Sequence, residues 1–211
     1  MTHSLHRTGS AESLKNDFVL IARPAIGFNE AGAAARVRRF LEIVFEAGPT
    51  NLGSLESGGT IAGGLDQERV LAELDDRSGI RCAFASRERL VAVLRKVKSE
   101  ELGISVTVSG IVEDVFSICD EVGLEPHSIN VSLGVHGNRT LLADESVREL
   151  TTMCGHALIA SSLVSKAMAD VREGRSTPTD ASIECGKACA CGLFNLERAE
   201  AIFGRLQGLR D

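Results

Sequence analysis

The sequence predicts an α/β fold in two parts, and two observations carry this prediction. In the first part, short apolar runs rich in β-branched residues alternate with amphipathic helical patterns, which is typical of βαβ units in a largely parallel sheet. In the second part the pattern is helical throughout, and four of the six cysteines fall there. We therefore expect an α/β domain over residues 1–143 and an all-helical, cysteine-bearing, metal-binding module over residues 144–211.

The first predicted elements are a strand and a helix. The run DFVLIA at residues 17–22 has the composition of a short strand, and Pro24 breaks the chain after it. Over residues 30–47 the apolar side chains recur at helical spacing, and Gly48 and Pro49 end that helix.

A glycine-rich stretch follows, GPTNLGSLESGGTIAGG at residues 48–64, with six glycines. A helix is predicted to begin after Asp66, and a helix N-terminus attracts anions, so the stretch is a candidate phosphate cradle. It contains neither Gly-Lys-Ser/Thr nor GxGxxG, however, so both phosphate-binding motifs are missing. We expect a flexible loop here.

The middle of the chain repeats a strand and a helix. The predicted elements are a strand at 80–85, a helix at 86–98, a strand at 104–108, a helix at 110–123 and a strand at 128–135. This rhythm favours a largely parallel sheet, and a ferredoxin-like α+β sheet is the alternative. Cys82 and Cys119 fall within these apolar elements, and we interpret both as ordinary buried thiols.

A candidate site lies where the last predicted strand ends. Ligands of parallel sheets bind at the carboxyl ends of the strands, and the loop HGNR follows the strand at 128–135. His136 is the most reactive side chain in this loop. A single loop histidine is more often merely solvated, so His136 is a candidate without an assigned role.

Three helical stretches are predicted in the last part of the chain, the first of them interrupted. Residues 144–173 have a helical pattern that we expect to break near Thr151–Gly155, because an unbroken helix of that length would be unusual here. Thr177 and Pro178 then give a helix start, with a hydroxyl at the N-cap and proline at the first position. Asn195 has the chemistry of an N-cap for the last helix.

Four cysteines of this last part form the candidate metal site: Cys154, Cys185, Cys189 and Cys191. Thiolates are soft ligands that suit zinc, copper(I) and iron–sulfur clusters, and four of them complete either a zinc site or a cluster. Zinc sites usually present two Cys-x2–4-Cys pairs, whereas this chain has one distant cysteine and a C-x3-C-x-C run. We expect the CxC pair to bind different irons of one [4Fe-4S] cluster, with zinc as the alternative.

The neighbours of the cysteines support a cluster. Gly186 and Gly192 each follow a cysteine, and small residues let a bulky group approach the backbone, so we expect their N–H groups to donate to the bound group. The surrounding ACACGLF is apolar, which shields a cluster from water. Cys154 is the least certain ligand of the set, because it also fits an apolar helical stripe. If Cys154 is not a ligand, one iron has an open position.

Composition and charge exclude other classes of protein. The net charge of −6 and the lack of tryptophan and tyrosine argue against a nucleic-acid-binding surface. No apolar run approaches the ~18 residues of a membrane span. The polar N-terminus lacks the apolar core of a signal peptide, so we expect a cytoplasmic protein, in which thiols stay reduced.

The sequence thus predicts a cytoplasmic iron–sulfur protein that transfers electrons or acts as a redox accessory or sensor for a partner enzyme. The expected partner is a redox protein or a second copy of the chain. The first alternative is a zinc-stabilised binding or scaffolding module. The second is a thiol–disulfide enzyme using Cys189 and Cys191, which is disfavoured because no histidine or helix N-terminus is evident beside them. No pair of acidic and basic side chains has a spacing that indicates a hydrolase or transferase, so no catalytic residue is assigned.

Overall fold

The computed structural model describes residues 4–54 and 59–207, except for the side chains of Ser54 and Gln207. Five strands form one sheet: β1 (Phe18–Arg23), β2 (Asn51–Ser54), β3 (Gly59–Thr60), β4 (Ile80–Phe84) and β5 (Ser105–Ser109). Their order is β3-β2-β4-β1-β5, and every neighbouring pair is antiparallel.

The described residues also form nine helices. They are α1 (Ala11–Leu14), α2 (Ala34–Ala47), α3 (Gln67–Glu73), α4 (Arg87–Ser99), α5 (Val112–Val122), α6 (Glu145–Thr151), α7 (Ser161–Arg172), α8 (Pro178–Lys187) and α9 (Leu196–Gln207), with short 3-10 turns at Ile61–Gly63 and Arg139–Leu141. Within the described ranges, none of these helices is long and apolar enough to cross a lipid bilayer.

The prediction of a largely parallel sheet is wrong, and the ferredoxin-like alternative fits. Strands β1, β2, β4 and β5, with helices α2 and α4 between them, follow the β-α-β-β-α-β connectivity of that arrangement. Strand β4 lies between β1 and β2, and β1 lies between β4 and β5. Two strands that are joined through a helix are therefore never neighbours, so every ladder is antiparallel.

The structure contains a strand, β2, that the sequence-based prediction lacks. Residues 48–64 are predicted to be a flexible loop, but β2 and β3 form a hairpin there, and Leu52 pairs with Cys82 of β4. Residues 55–58 of the stretch lie outside the described residues. Because glycine weakens strand propensity, NLGS does not have the composition of a strand. Because β2 and β3 come between α2 and β4 along the chain, β4 runs antiparallel to β1 instead of parallel to it.

The strand predicted at 128–135 does not form. These residues are exposed and irregular, and they have no ladder partner in the part of the chain that the structure describes. His136 follows them on the surface, with its Nε2 3.0 Å from the carbonyl oxygen of Leu133. Since the sheet is antiparallel, the argument that placed a ligand at the carboxyl ends of parallel strands no longer applies to His136.

Strand β1 has core residues on both faces. Phe18, Leu20 and Ala22 belong to a core formed with helices α2, α4 and α5, whereas Val19 and Ile21 belong to a second core formed with α6 to α9. Successive side chains of a strand point to opposite faces, so the sheet is the middle layer between two layers of helices. The domain boundary after residue 143 stays a prediction.

Candidate metal centre

Helix α8 and the turn after it position three of the four cysteines. The helix begins at the predicted cap, where the Thr177 hydroxyl accepts a hydrogen bond of 3.0 Å from the backbone N–H of Asp180. Cys185 lies in its last turns, and the backbone N–H of Cys189 donates to the carbonyl oxygen of Gly186 as the helix ends. The turn from Cys189 then reaches α9.

Cys154 reaches the same core from a different segment. The expected break in the helical pattern is present, because α6 ends at Thr151 and α7 begins only at Ser161. Cys154 lies in the turn between these helices, so it is neither on a continuous helical stripe nor in the first turn of a helix.

The turn that carries Cys191 rests directly on strand β2. A Cβ atom on Gly192 would lie 2.1 Å from the backbone nitrogen of Gly53, and one on Gly53 would lie 2.6 Å from the backbone carbonyl carbon of Cys191. Gly192 also has a φ of +69°, a conformation that side chains with a Cβ disfavour. Both positions therefore require glycine so that the two backbones can touch.

Hydrogen bonds fix the end of this turn to the sheet. The Asn51 side chain donates to the carbonyl oxygen of Phe194 at 3.0 Å. The Thr50 hydroxyl donates to the side-chain oxygen of Asn195 at 3.1 Å, and the same oxygen caps α9 by accepting from the N–H of Arg198. The glycine-rich stretch thus supports the cysteine turn.

The four cysteines lie in one buried core, and three of their thiols lie near each other. Cys154 is 3% exposed and the other three are fully buried. The sulfur atoms of Cys189 and Cys191 are 3.8 Å apart. Cys154 lies near enough to Cys189 for the two thiols to change each other's pKa. Cys185 lines the same core.

Backbone N–H groups near three of the sulfurs act on their pKa values. Those of Leu158 and His156 lower the pKa of Cys154, that of Phe194 lowers the pKa of Cys189, and that of Leu193 lowers the pKa of Cys191. A backbone donor stabilises a thiolate more than a neutral thiol and therefore lowers the pKa. For Cys154 and Cys189, however, the neighbouring thiols and burial outweigh these donors.

Each of these three thiols changes the pKa of its neighbour. The hydrogen bond to Cys189, with burial, raises the pKa of Cys154. Donation from Cys154 lowers the pKa of Cys189, but Cys191 and burial outweigh it, so the pKa is raised. Donation from Cys189 lowers the pKa of Cys191 to about 7, against the effect of burial. Burial raises the pKa of Cys185 to about 12. Cys191 is therefore the thiol of this set that ionises most readily.

We expect metal-free protein to gain one thiolate with a midpoint near pH 7. The pKa of Cys191 is about 7 in the folded chain and 9.0 ordinarily, so its stabilising contribution is present above pH 9 and is lost as pH falls through 7. The raised pKa values of Cys154 and Cys185 act oppositely and destabilise the folded protein above about pH 9.

Ultraviolet thiolate absorption of the folded, metal-free chain measures this titration. The step near pH 7 should disappear in Cys191→Ser and persist in Cys82→Ser, which removes a buried thiol elsewhere. A titration with no step below pH 9 would contradict the assignment.

Two buried arginines hold the N-terminal segment against the site. Arg7 donates to the carbonyl oxygens of Met153, at 3.1 Å, and of Leu193, and it forms an ion pair with Asp17. Met153 directly precedes the first cysteine of the set, and Leu193 lies two residues after the last. Arg198 forms a second buried ion pair with Asp17 at 2.5 Å. Sequence reasoning missed both arginines, because their partners lie up to 190 residues away.

Gly186 and Gly192 lie beside two of the cysteines, and each makes a close contact with another part of the chain. The N–H of Gly192 donates to the carbonyl oxygen of Cys189 at 3.1 Å. A Cβ on Gly186 would lie 2.6 Å from Leu196 and 3.0 Å from Ala62, so this glycine permits α8 to pack closely. Their predicted donation to a bound group stays a prediction.

The donor chemistry fits a metal–thiolate site, whereas the side-chain positions do not complete one. Four thiols in one core and N–H donors on three of them are what bound thiolates require. As the side chains stand, however, no three His, Cys, Asp or Glu groups among the described residues are arranged to hold a metal ion. A bound group therefore requires rearranged cysteine side chains.

Comparison of the chain with known protein families, curated proteins and solved structures finds no match.

Proposed function

We propose that this is an iron–sulfur protein in which Cys154, Cys185, Cys189 and Cys191 bind one [4Fe-4S] cluster. The observation that supports this most is the convergence of all four cysteines in one buried core, where backbone N–H groups also lower the pKa values of Cys154, Cys189 and Cys191. A neutral buried thiol needs no such donors, whereas a thiolate bound to iron is stabilised by them.

Burial of the site favours electron transfer over substrate binding as its role. The four cysteines are at most 3% exposed, so a bound cluster would be shielded from water and from small molecules. When bound, a cluster supplies one-electron transfer at a potential set by burial and by hydrogen bonds to sulfur. We propose that the protein passes electrons to a partner enzyme, or senses redox state for it, in the cytoplasm.

A structural zinc ion is the second candidate, and one distance favours it. Two sulfurs bound to a tetrahedral zinc at about 2.3 Å lie roughly 3.8 Å apart. The sulfurs of Cys189 and Cys191 are separated by 3.8 Å. The protein would then be a zinc-stabilised binding or scaffolding module without redox chemistry.

Metal analysis of protein purified without oxygen separates the two candidates. The cluster proposal predicts a brown protein with a broad visible absorption band that bleaches on reduction, and iron and acid-labile sulfide in equal amounts. A colourless protein with one zinc per chain would support the second candidate. Protein without metal, whose thiols oxidise reversibly in pairs, would overturn both proposals.

A further inference from the structure

The outer edge of the sheet is unprotected. Strand β5 pairs with β1 on one side only, and no backbone hydrogen bond joins its other side to any described residue. Proteins usually guard such an edge with lysine, proline, a bulge or a covering segment. The sequence of β5, SVTVS, has neither charge nor proline, and its residues are only partly buried. The edge is therefore competent to pair with another strand.

A segment with the pattern of a strand lies unpaired on the same molecule. In residues 128–135 the apolar side chains of Ile129, Val131, Leu133 and Val135 alternate with polar or small ones, and they are 56%, 58%, 85% and 40% exposed. Every residue from 125 to 142 is exposed. An alternation of this kind is typical of a strand with one buried face. The segment thus has the pattern of a strand and no partner.

These two features border one cavity. A cavity of about 740 Å³ lies between β5, helix α5 and residues 128–132. Val106 and Val108 of β5 and Phe116 of α5 line it, and Phe116 is 40% exposed. A free strand edge beside an apolar groove and a helix is the geometry in which proteins accept an added strand.

We propose that this groove binds residues 128–135 of a second copy of the chain, which pair with the outer edge of β5. By two-fold symmetry the same segment of the first copy enters the groove of the second. The exchange is independent of the metal site.

Charge and exposed apolar side chains favour a second copy over an unrelated protein. Neither β5 nor residues 128–135 carry a charged side chain, so two copies do not repel each other at this surface. Pairing with a second copy would also cover the exposed apolar side chains of the segment and of Phe116. One reciprocal exchange gives the β5 edge and residues 128–135 of both copies a pairing partner.

Sedimentation of the full-length protein over a range of concentrations tests the proposal. We expect a dimer at micromolar concentration, and we expect Leu133→Asp to weaken it at least 100-fold, because the substitution places a charge in an apolar contact. Leu133 is 85% exposed in one chain, so the variant should fold. The matched control is Phe28→Asp, which alters a side chain that is 92% exposed and does not line the cavity.

Hydrogen exchange of the β5 amides adds a second measurement. The proposal predicts protection that increases with protein concentration and is lost in Leu133→Asp. A monomer at all concentrations would overturn it, as would a dimer that Leu133→Asp leaves intact. Protection of β5 that does not depend on concentration would show that the chain's own segment closes the edge, which also overturns the exchange.

Discussion

Replacement of Cys189 by serine is expected to abolish the metal binding that we propose. Its sulfur lies 3.8 Å from that of Cys191, and its thiol also shifts the pKa of Cys154, so it is the central member of the set. A hydroxyl is a hard, weakly acidic donor and a poor substitute for a thiolate on iron or zinc. Iron per chain and visible absorption of protein purified without oxygen should fall to background.

The matched control is Cys82→Ser. Cys82 is also fully buried, and its sulfur lies 3.7 Å from the carbonyl oxygen of Leu20 rather than in the cysteine cluster. This variant should lose some stability but retain its metal and colour. Equal metal content in Cys189→Ser and in the unchanged protein would show that Cys189 is not a ligand.

Replacement of Gly192 by alanine is expected to destabilise the fold by about 4 kcal/mol, through overpacking and an unfavourable backbone conformation. The added Cβ would lie 2.1 Å from the backbone nitrogen of Gly53 and 2.2 Å from the backbone carbonyl carbon of Leu52. Backbone atoms of a paired strand cannot rotate away as a side chain can. The cysteine turn and β2 must therefore separate. Urea unfolding measures the loss.

Gly204→Ala is the control for this substitution. Gly204 lies within α9, and a Cβ there meets no atom within 4 Å. Alanine should stabilise the helix by about 0.5–1 kcal/mol, because glycine loses more backbone freedom on folding. If Gly192→Ala unfolds at the same urea concentration as Gly204→Ala, the close contact between the turn and β2 is not present in solution.

The sequence predicts most helices and strands but not how the strands pair. Helices α2, α4 and α5 and strands β1, β4 and β5 follow from periodicity, since each has its own apolar pattern. Strand β2 has no such pattern. It contains Gly53, which has poor strand propensity but is required because the Cys191 turn contacts its backbone. Without β2 the alternating helices and strands predict a parallel sheet. The packing of residues 48–64 on the C-terminal turn decides otherwise.

The candidate site shows the same division between local and distant information. The close spacing of Cys185, Cys189 and Cys191 is visible in the sequence, and the sequence also nominates Cys154. The supporting contacts of Arg7, Asn51 and Gly53 join segments separated by more than a hundred residues, and no pattern along one chain records them. The N–H donors to sulfur likewise depend on how each turn folds.

X-ray absorption at the iron and zinc edges of protein purified without oxygen decides whether these thiols bind a metal centre, because it identifies the metal and its ligands together. We expect iron with only sulfur in its first coordination shell and a nearby second iron. Replacement of Cys185 should disturb that shell, which would place the fourth thiol on the cluster. Iron bound by oxygen or nitrogen alone, or a protein without either metal, would contradict the claim that these thiols bind a metal centre.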